Sequence, residues 1–150
     1  MKRVVATGTF DLLHPGHIYY LEQSRELGDE LHVIVARDVN VLHKPAPVVP
    51  EEQRLCMIKS LAVVDEARLG DTEDMFRPIE EIDPDIITLG FNQQFSEDSL
   101  KKTLRDRGIG AEVVRVGACN GPGFTGSRQI MRRILETRCP GWTGETDNTD

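Results

Sequence analysis

His14 and His17 stand three residues apart in the run Gly8-Thr9-Phe10-Asp11-Leu12-Leu13-His14-Pro15-Gly16-His17. At that spacing both imidazoles share one face of a first helical turn. Unpaired backbone N–H groups and the positive end of the helix dipole collect there, and both favour phosphate. Imidazole N–H groups at the same spot donate to phosphoryl oxygens. Gly16 between them lets a ligand approach the backbone closely. Taken alone, the two histidines also read as a helix-capping pair or as half a metal site without further ligands. The Gly-Thr-Phe-Asp segment and the strand before it favour phosphate chemistry.

These residues need a scaffold, and strand-like and helix-like segments alternate along the chain to supply one. Residues 2–7 read as a buried, Val-rich strand. A helix follows from Pro15 to Leu27, opened by its proline and closed by Gly28. Further strands are expected at 30–36, within 63–69, at 86–89 and at 112–116. Residues 37–50, with Pro45, Pro47 and Pro50, read as a loop. Helices are expected over 51–61, with acids in the first turn, and over 75–81. Two more are expected over 96–107, capped by Ser96, and over 127–138. The alternation predicts an α/β fold, a parallel sheet of about five strands with helices on both faces. In such sheets ligands bind beyond the carboxyl ends of the strands, where the histidine run falls. Residues 1–138 are expected as one domain and 139–150 as a frayed, flexible tail.

The chain has 150 residues, with 18 basic and 25 acidic side chains and a net charge of −7. That length suits one domain with its own core. A net acidic chain is a poor general binder of nucleic acid or of an anionic membrane, though a local basic site for a small anion is compatible with it. No apolar run approaches the ~18 residues of a membrane span, and the N-terminus lacks the pattern of a signal peptide. Cys56, Cys119 and Cys139 are an odd count without a Cys-x-x-Cys pair. They read as reduced thiols in a cytoplasmic protein. Gly121-Pro122-Gly123-Phe124-Thr125-Gly126 matches G-x-G-x-x-G only in form, because no strand is left after it to complete a βαβ unit.

The stretch from Gly8 to His17 closely resembles the signature of the nucleotidyltransferase superfamily of cytidylyltransferases and adenylyltransferases. The resemblance extends through Val33-Ile34-Val35-Ala36-Arg37-Asp38, Pro50-Glu51-Glu52-Gln53-Arg54 and Pro84-Asp85-Ile86-Ile87-Thr88-Leu89-Gly90, to about residue 138. Val-Ile-Val-Ala-Arg-Asp and Gly90-Phe91-Asn92-Gln93 look most like the archaeal FAD synthases, which are FMN adenylyltransferases. It implies a Rossmann-like nucleotidyltransferase fold and transfer of the AMP group of ATP to the phosphate of FMN, giving FAD and pyrophosphate. Two other acceptors are compatible with the same fold, glycerol 3-phosphate with CTP and a pantetheine phosphate with ATP. A non-catalytic nucleotide-binding module is the reading from another class, and the second histidine argues against it.

The resemblance also assigns roles. His14, His17, Lys44 and Arg128 are implied as catalytic groups that stabilise charge on the phosphates. Thr9, Phe10, His14, Pro15, Gly16, His17, Asn92 and Ser127 are implied as the nucleotide site. Asp11 is expected to hold its loop rather than act as a base. Lys44 lies where relatives place a phosphate-binding lysine; a lone loop lysine is also often merely solvated. Asn92 stands where most FAD synthases have Asp, which removes a charge. Ser127 and Arg128 put a hydroxyl and a cation at a helix start, suited to the β- and γ-phosphates; the plain alternative for Ser127 is an N-cap. Phe91, Phe95 and Phe124 offer faces for a flavin ring, or pack in the core. A divalent cation, Mg²⁺, is expected on the substrate phosphates without a protein metal cage. The implied partners are ATP and FMN, with no nucleic acid and no membrane. Relatives are often dimers, which implies a homodimer.

Overall fold

The computed structural model describes residues 1–42, 44–139 and 141. The expected tail lies outside the described residues except at Cys139 and Gly141. Five strands form one parallel sheet: β1 (Arg3–Gly8), β2 (Glu30–Val35), β3 (Glu66–Leu69), β4 (Ile86–Leu89) and β5 (Glu112–Arg115), in the order β3-β2-β1-β4-β5. The helices are α1 (Pro15–Glu26), α2 (Glu51–Lys59), α3 (Arg77–Ile82), α4 (Glu97–Asp106) and α5 (Ser127–Arg138).

The central strand shows why the sheet is covered on both sides. Val4, Val5 and Ala6 of β1 are all completely buried. Alternation sends their side chains to opposite faces, so an unbroken apolar run means two cores. Val5 joins Ile87 and Leu89 in a cluster with Ile79 and Ile82 of α3 and Leu100 and Leu104 of α4. Val4 and Ala6 join Leu31 and Val33 in the other, with Leu21 of α1 and Ile58 of α2. This is the α/β architecture expected from the alternation, and the Rossmann-like fold that the family resemblance implies.

The chain builds outward from β1 through β2 to β3, then returns to set β4 on the other side of β1. Parallel pairing aligns Val4 with both Leu31 and Ile86. The strand order therefore reverses between β1 and β4, and the loops leaving their carboxyl ends part there to form a crevice.

Small departures from the sequence reading have local causes. The helix expected over 75–81 runs instead from Arg77 to Ile82. Asp71 Oδ1 accepts from the backbone N–H groups of Glu73 and Asp74, and Asp74 Oδ1 accepts from that of Phe76. These side-chain bonds compete with the helix and delay its start. The loop expected over 37–50 contains a 3₁₀ turn at Asp38–Asn40. Ser96 caps α4 as expected, accepting from the Ser99 N–H at 3.3 Å. Among the described residues no helix is long and apolar enough to cross a membrane.

Candidate active site

The turn after β1 is fixed from beneath by Phe10. Its φ is +53°, a left-handed conformation that is strained for a bulky side chain and costs ~1–3 kcal/mol. The ring is 3 % exposed and fills the space where a side chain on Gly8 would sit, since a Cβ there would lie 2.8 Å from it. It meets the His17 ring edge-on at 5.4 Å and stacks with Tyr20 at 6.4 Å. The expected lining role of Phe10 therefore does not belong to its side chain, which faces the core and supports His17.

Tyr20 continues the support. Its hydroxyl donates to the Thr88 carbonyl at 2.9 Å and accepts from the Thr7 N–H at 3.3 Å. The Ser24 and Thr88 hydroxyls meet at 2.8 Å. Burial pushes the Tyr20 phenol up to about 12, so it stays a neutral donor. This network joins α1 to β1 and β4 under the crevice, and sequence reading missed it.

His14 occupies the N-cap position of α1 with extended backbone, and its side chain makes no capping bond. The His14 and His17 rings stack at 3.7 Å, 25° from parallel. Two like charges at such a distance repel by about 4 kcal/mol even in a moderately polar medium, so both rings cannot carry a proton together. Burial lowers His14. Burial, then His14, then Lys44, hold His17 down to about 3. The histidines therefore present neutral imidazoles at pH 7. Both Nδ1 atoms are buried without a hydrogen-bond partner. An incoming phosphate supplies such a partner, and its negative charge favours the protonated ring.

Lys44 reaches the same place from the loop before α2. Its charge acts on His17, and its own ammonium is lowered by burial, raised by Asp11 and lowered again by Arg54. Asp11 holds the loop, as expected: its carboxylate accepts from the N–H groups of Val48 at 2.9 Å and Val49 at 2.8 Å. Arg54 of α2 is the residue that sequence reading missed here. It is 0 % exposed and donates to the carbonyls of Thr9, Ala36 and Val49 at 2.6–2.9 Å, and to Asp38 at 2.5 Å. One guanidinium thus ties the β1 turn, the end of β2 and the Lys44 loop together. Thr9 contributes its carbonyl to this knot.

Across the crevice, the loop after β4 is pinned by Gln93. Its Oε1 accepts from the Gly90 N–H at 2.7 Å, and its Nε2 donates to the Thr7 carbonyl at 3.0 Å. Arg115 of β5 donates to the carbonyls of Gly90, Gln93 and Phe95. Asn92 lies exposed on this loop, with Phe91 and Phe95 exposed at either side.

The start of α5 closes the site. A Cβ on Gly16 would lie 2.5 Å from the Thr125 carbonyl oxygen, so the chain's own backbone uses the room that Gly16 leaves. Pro15 is exposed as the first residue of α1. The N-cap of α5 is Gly126, which places Ser127 one residue inside the helix rather than at the cap. Gln129 does the capping, its Oε1 accepting from the N–H groups of Thr125 and Gly126. Arg128 stands exposed on the first turn.

The helix starts differ in sign. α2, α3 and α4 carry acids in their first turns, Glu51 and Glu52, Glu80, and Glu97 and Asp98. α1 and α5, which meet at Gly16 and Thr125, carry none. Two uncompensated positive helix ends therefore lie with two imidazoles between them, an arrangement that favours anions. Among the described residues no group of three His, Cys, Asp or Glu side chains could hold a metal ion.

The family model described as "Cytidylyltransferase-like" matches residues 5–138. A protein of Methanolacinia petrolearia named FAD synthase is 68 % identical over 139 residues, covering 93 % of this chain and 94 % of its own. A FAD synthase of Methanoculleus marisnigri is 64 % identical over 144 residues, covering 93 % of each. Among solved structures, a lipopolysaccharide core biosynthesis protein from Thermoplasma volcanium superposes with a TM-score of 0.78 at 46 % identity, over 80 % of this chain and 99 % of that one. An Archaeoglobus fulgidus protein of unknown function, 18 % identical with a TM-score of 0.62 over 77 % of this chain and 89 % of its own, shares the fold. The chain belongs to the cytidylyltransferase-like family of nucleotidyltransferases.

Proposed function

We propose that this protein is a FAD synthase, an FMN adenylyltransferase. An oxygen of the FMN phosphate attacks the α-phosphorus of ATP. The bond from that phosphorus to the β-phosphate bridging oxygen breaks in line, and the products are FAD and pyrophosphate. The attacking phosphate is already anionic, so the site needs no general base. Its task is to align two anions and spread the charge that develops on the α-phosphoryl oxygens.

One observation carries the reaction class: two stacked imidazoles with unpartnered nitrogens, set where two helix starts converge. The acceptor follows from the relatives named FAD synthase, matched over nine-tenths of the chain. In this reading His14 and His17 donate N–H bonds to the α-phosphoryl group. Lys44, Ser127 and Arg128 hold the β- and γ-phosphates, while Thr9 in the turn after β1 and Asn92 and Gln93 in the loop after β4 border the nucleoside. A divalent cation such as Mg²⁺ would be held by the nucleotide phosphates rather than by a protein cage, and would supply further charge neutralisation there. The same reading makes the enzyme a cytoplasmic homodimer, supported by three free cysteines and by exposed apolar residues such as Ile134.

A chromatographic product assay tests the proposal. The protein is incubated with Mg²⁺ and FMN, with ATP or CTP supplied separately, and FAD and pyrophosphate are expected from ATP alone. Absence of any flavin dinucleotide, with product forming from glycerol 3-phosphate or a pantetheine phosphate instead, overturns it.

A further inference from the structure

The arginines of this protein divide sharply. Most of those outside α5, from Arg3 in β1 to Arg115 in β5, sit in ion pairs with carboxylates at 2.5–3.3 Å. Arg132 and Arg133 of α5 form none among the described residues. In a chain of net charge −7, carboxylates are not scarce, so two adjacent unpaired guanidinium groups stand out. They line a groove of about 570 Å³ with Phe124, Arg128, Gln129 and one carboxylate, Glu136. That volume falls within the roughly 300–1,000 Å³ of small-molecule sites. Phe124 is 43 % exposed and directly precedes Thr125, whose carbonyl touches the histidine turn at Gly16.

We propose that this groove is the subsite for the isoalloxazine ring of the acceptor, with the ring stacked on Phe124 and its carbonyl oxygens held by Arg132 and Arg133. The inference rests on the FMN reading above. Its geometry follows from the helix. The phosphate end of the acceptor must reach the imidazoles, hence the first turn of α5. Arg132 and Arg133 lie one turn further on, about 6–7 Å along the axis. A ribityl chain spans that interval, which delivers the flat ring to the groove. Phe124 supplies an aromatic face, and guanidinium groups supply donors without an acceptor, matching a ring rimmed by carbonyl oxygens and imine nitrogens. Phe91 and Phe95 belong to the other wall, on the loop after β4, and do not line this groove.

Flavin fluorescence quenching, titrated without ATP, reads the subsite independently of turnover. FMN and riboflavin, which lacks the phosphate, are both used as probes. Phe124→Ala is expected to weaken both about fivefold to tenfold, with Phe124→Tyr restoring most of the loss. Arg132→Gln combined with Arg133→Gln is expected to weaken both about fivefold, and KM for ATP is expected to stay within about twofold in every variant. Unchanged flavin affinity in an enzyme that still makes FAD overturns the subsite alone. An equal rise in KM for ATP also overturns it, because the groove then serves the nucleotide. A wild-type protein that makes no FAD removes the functional reading, and the subsite falls with it.

Discussion

The turn after β1 and the start of α5 face each other across Gly16, yet they are built in opposite ways. The turn is determined from below. Phe10 is buried in a strained conformation, Arg54 is fully buried on four acceptors, and Tyr20 bonds to two strands. α5 has no buried residue, and its groove is walled by exposed arginines. The contrast matches two tasks. Charge developing at a transferred phosphorus must meet donors already in position, which requires groups fixed by the core. A ligand's remote parts need only affinity, which surface groups provide at little expense to the fold.

The largest test of this contrast is in stability. Arg54→Met leaves three backbone carbonyls and Asp38 without their donor. By analogy with broken buried pairs, the loss is expected to be about 3–5 kcal/mol in urea unfolding. Arg132→Met on α5 is expected to change stability by no more than about 0.5 kcal/mol. Similar small losses in both would erase the distinction between the two regions.

Next comes catalysis. His17→Ala is expected to lower kcat by about 10²–10³, as when one preorganised donor to a transition-state oxygen is removed, with KM for ATP little changed. Parallel losses in kcat and nucleotide affinity would make His17 a ground-state contact, no different in kind from a surface arginine.

The same division explains what the sequence made legible. Strand and helix positions followed from apolar runs, prolines and glycines, since these act locally. The histidine pair was legible because its spacing and the strand before it are contiguous. Arg54 was not, because its partners Thr9, Ala36 and Val49 contribute backbone carbonyls that leave no mark on residue type. Gln93 and Gln129 hide for the same reason, each satisfying N–H groups of its own loop. Phe10 was expected at the ligand because its motif is, and only its left-handed backbone turns the ring inward. The neutrality of the imidazoles required the stacking distance, which no spacing rule provides. The absence of first-turn acids on α1 and α5, against their presence on α2, α3 and α4, was available in the sequence as a marker of uncompensated positive helix ends.

The finest test uses pH. His17 titrates near 6.5 when unfolded and at about 3 when folded. Between those values the unfolded chain binds more protons, so acid favours unfolding; above about pH 6.5 the group has no effect. Lowering the pH from about 7.5 to about 5 is expected to remove about 2 kcal/mol of stability through this residue. Asp71 and Asp74, held low chiefly by the Asp74 N–H and the Arg107 guanidinium respectively, also lose stability as pH falls. They do so equally in wild type and in His17→Asn, so the difference between the two acid slopes isolates the imidazole. Saturating ATP is expected to shrink the acid penalty, because phosphate charge raises the proton affinity of the histidine pair. Calorimetry in buffers of different ionisation enthalpy should then show proton uptake on binding, larger near pH 5.5 than near pH 7.5. An acid slope in His17→Asn equal to that of the wild type would put the imidazole in solvent, and the fixed region would lose the property that separates it from α5.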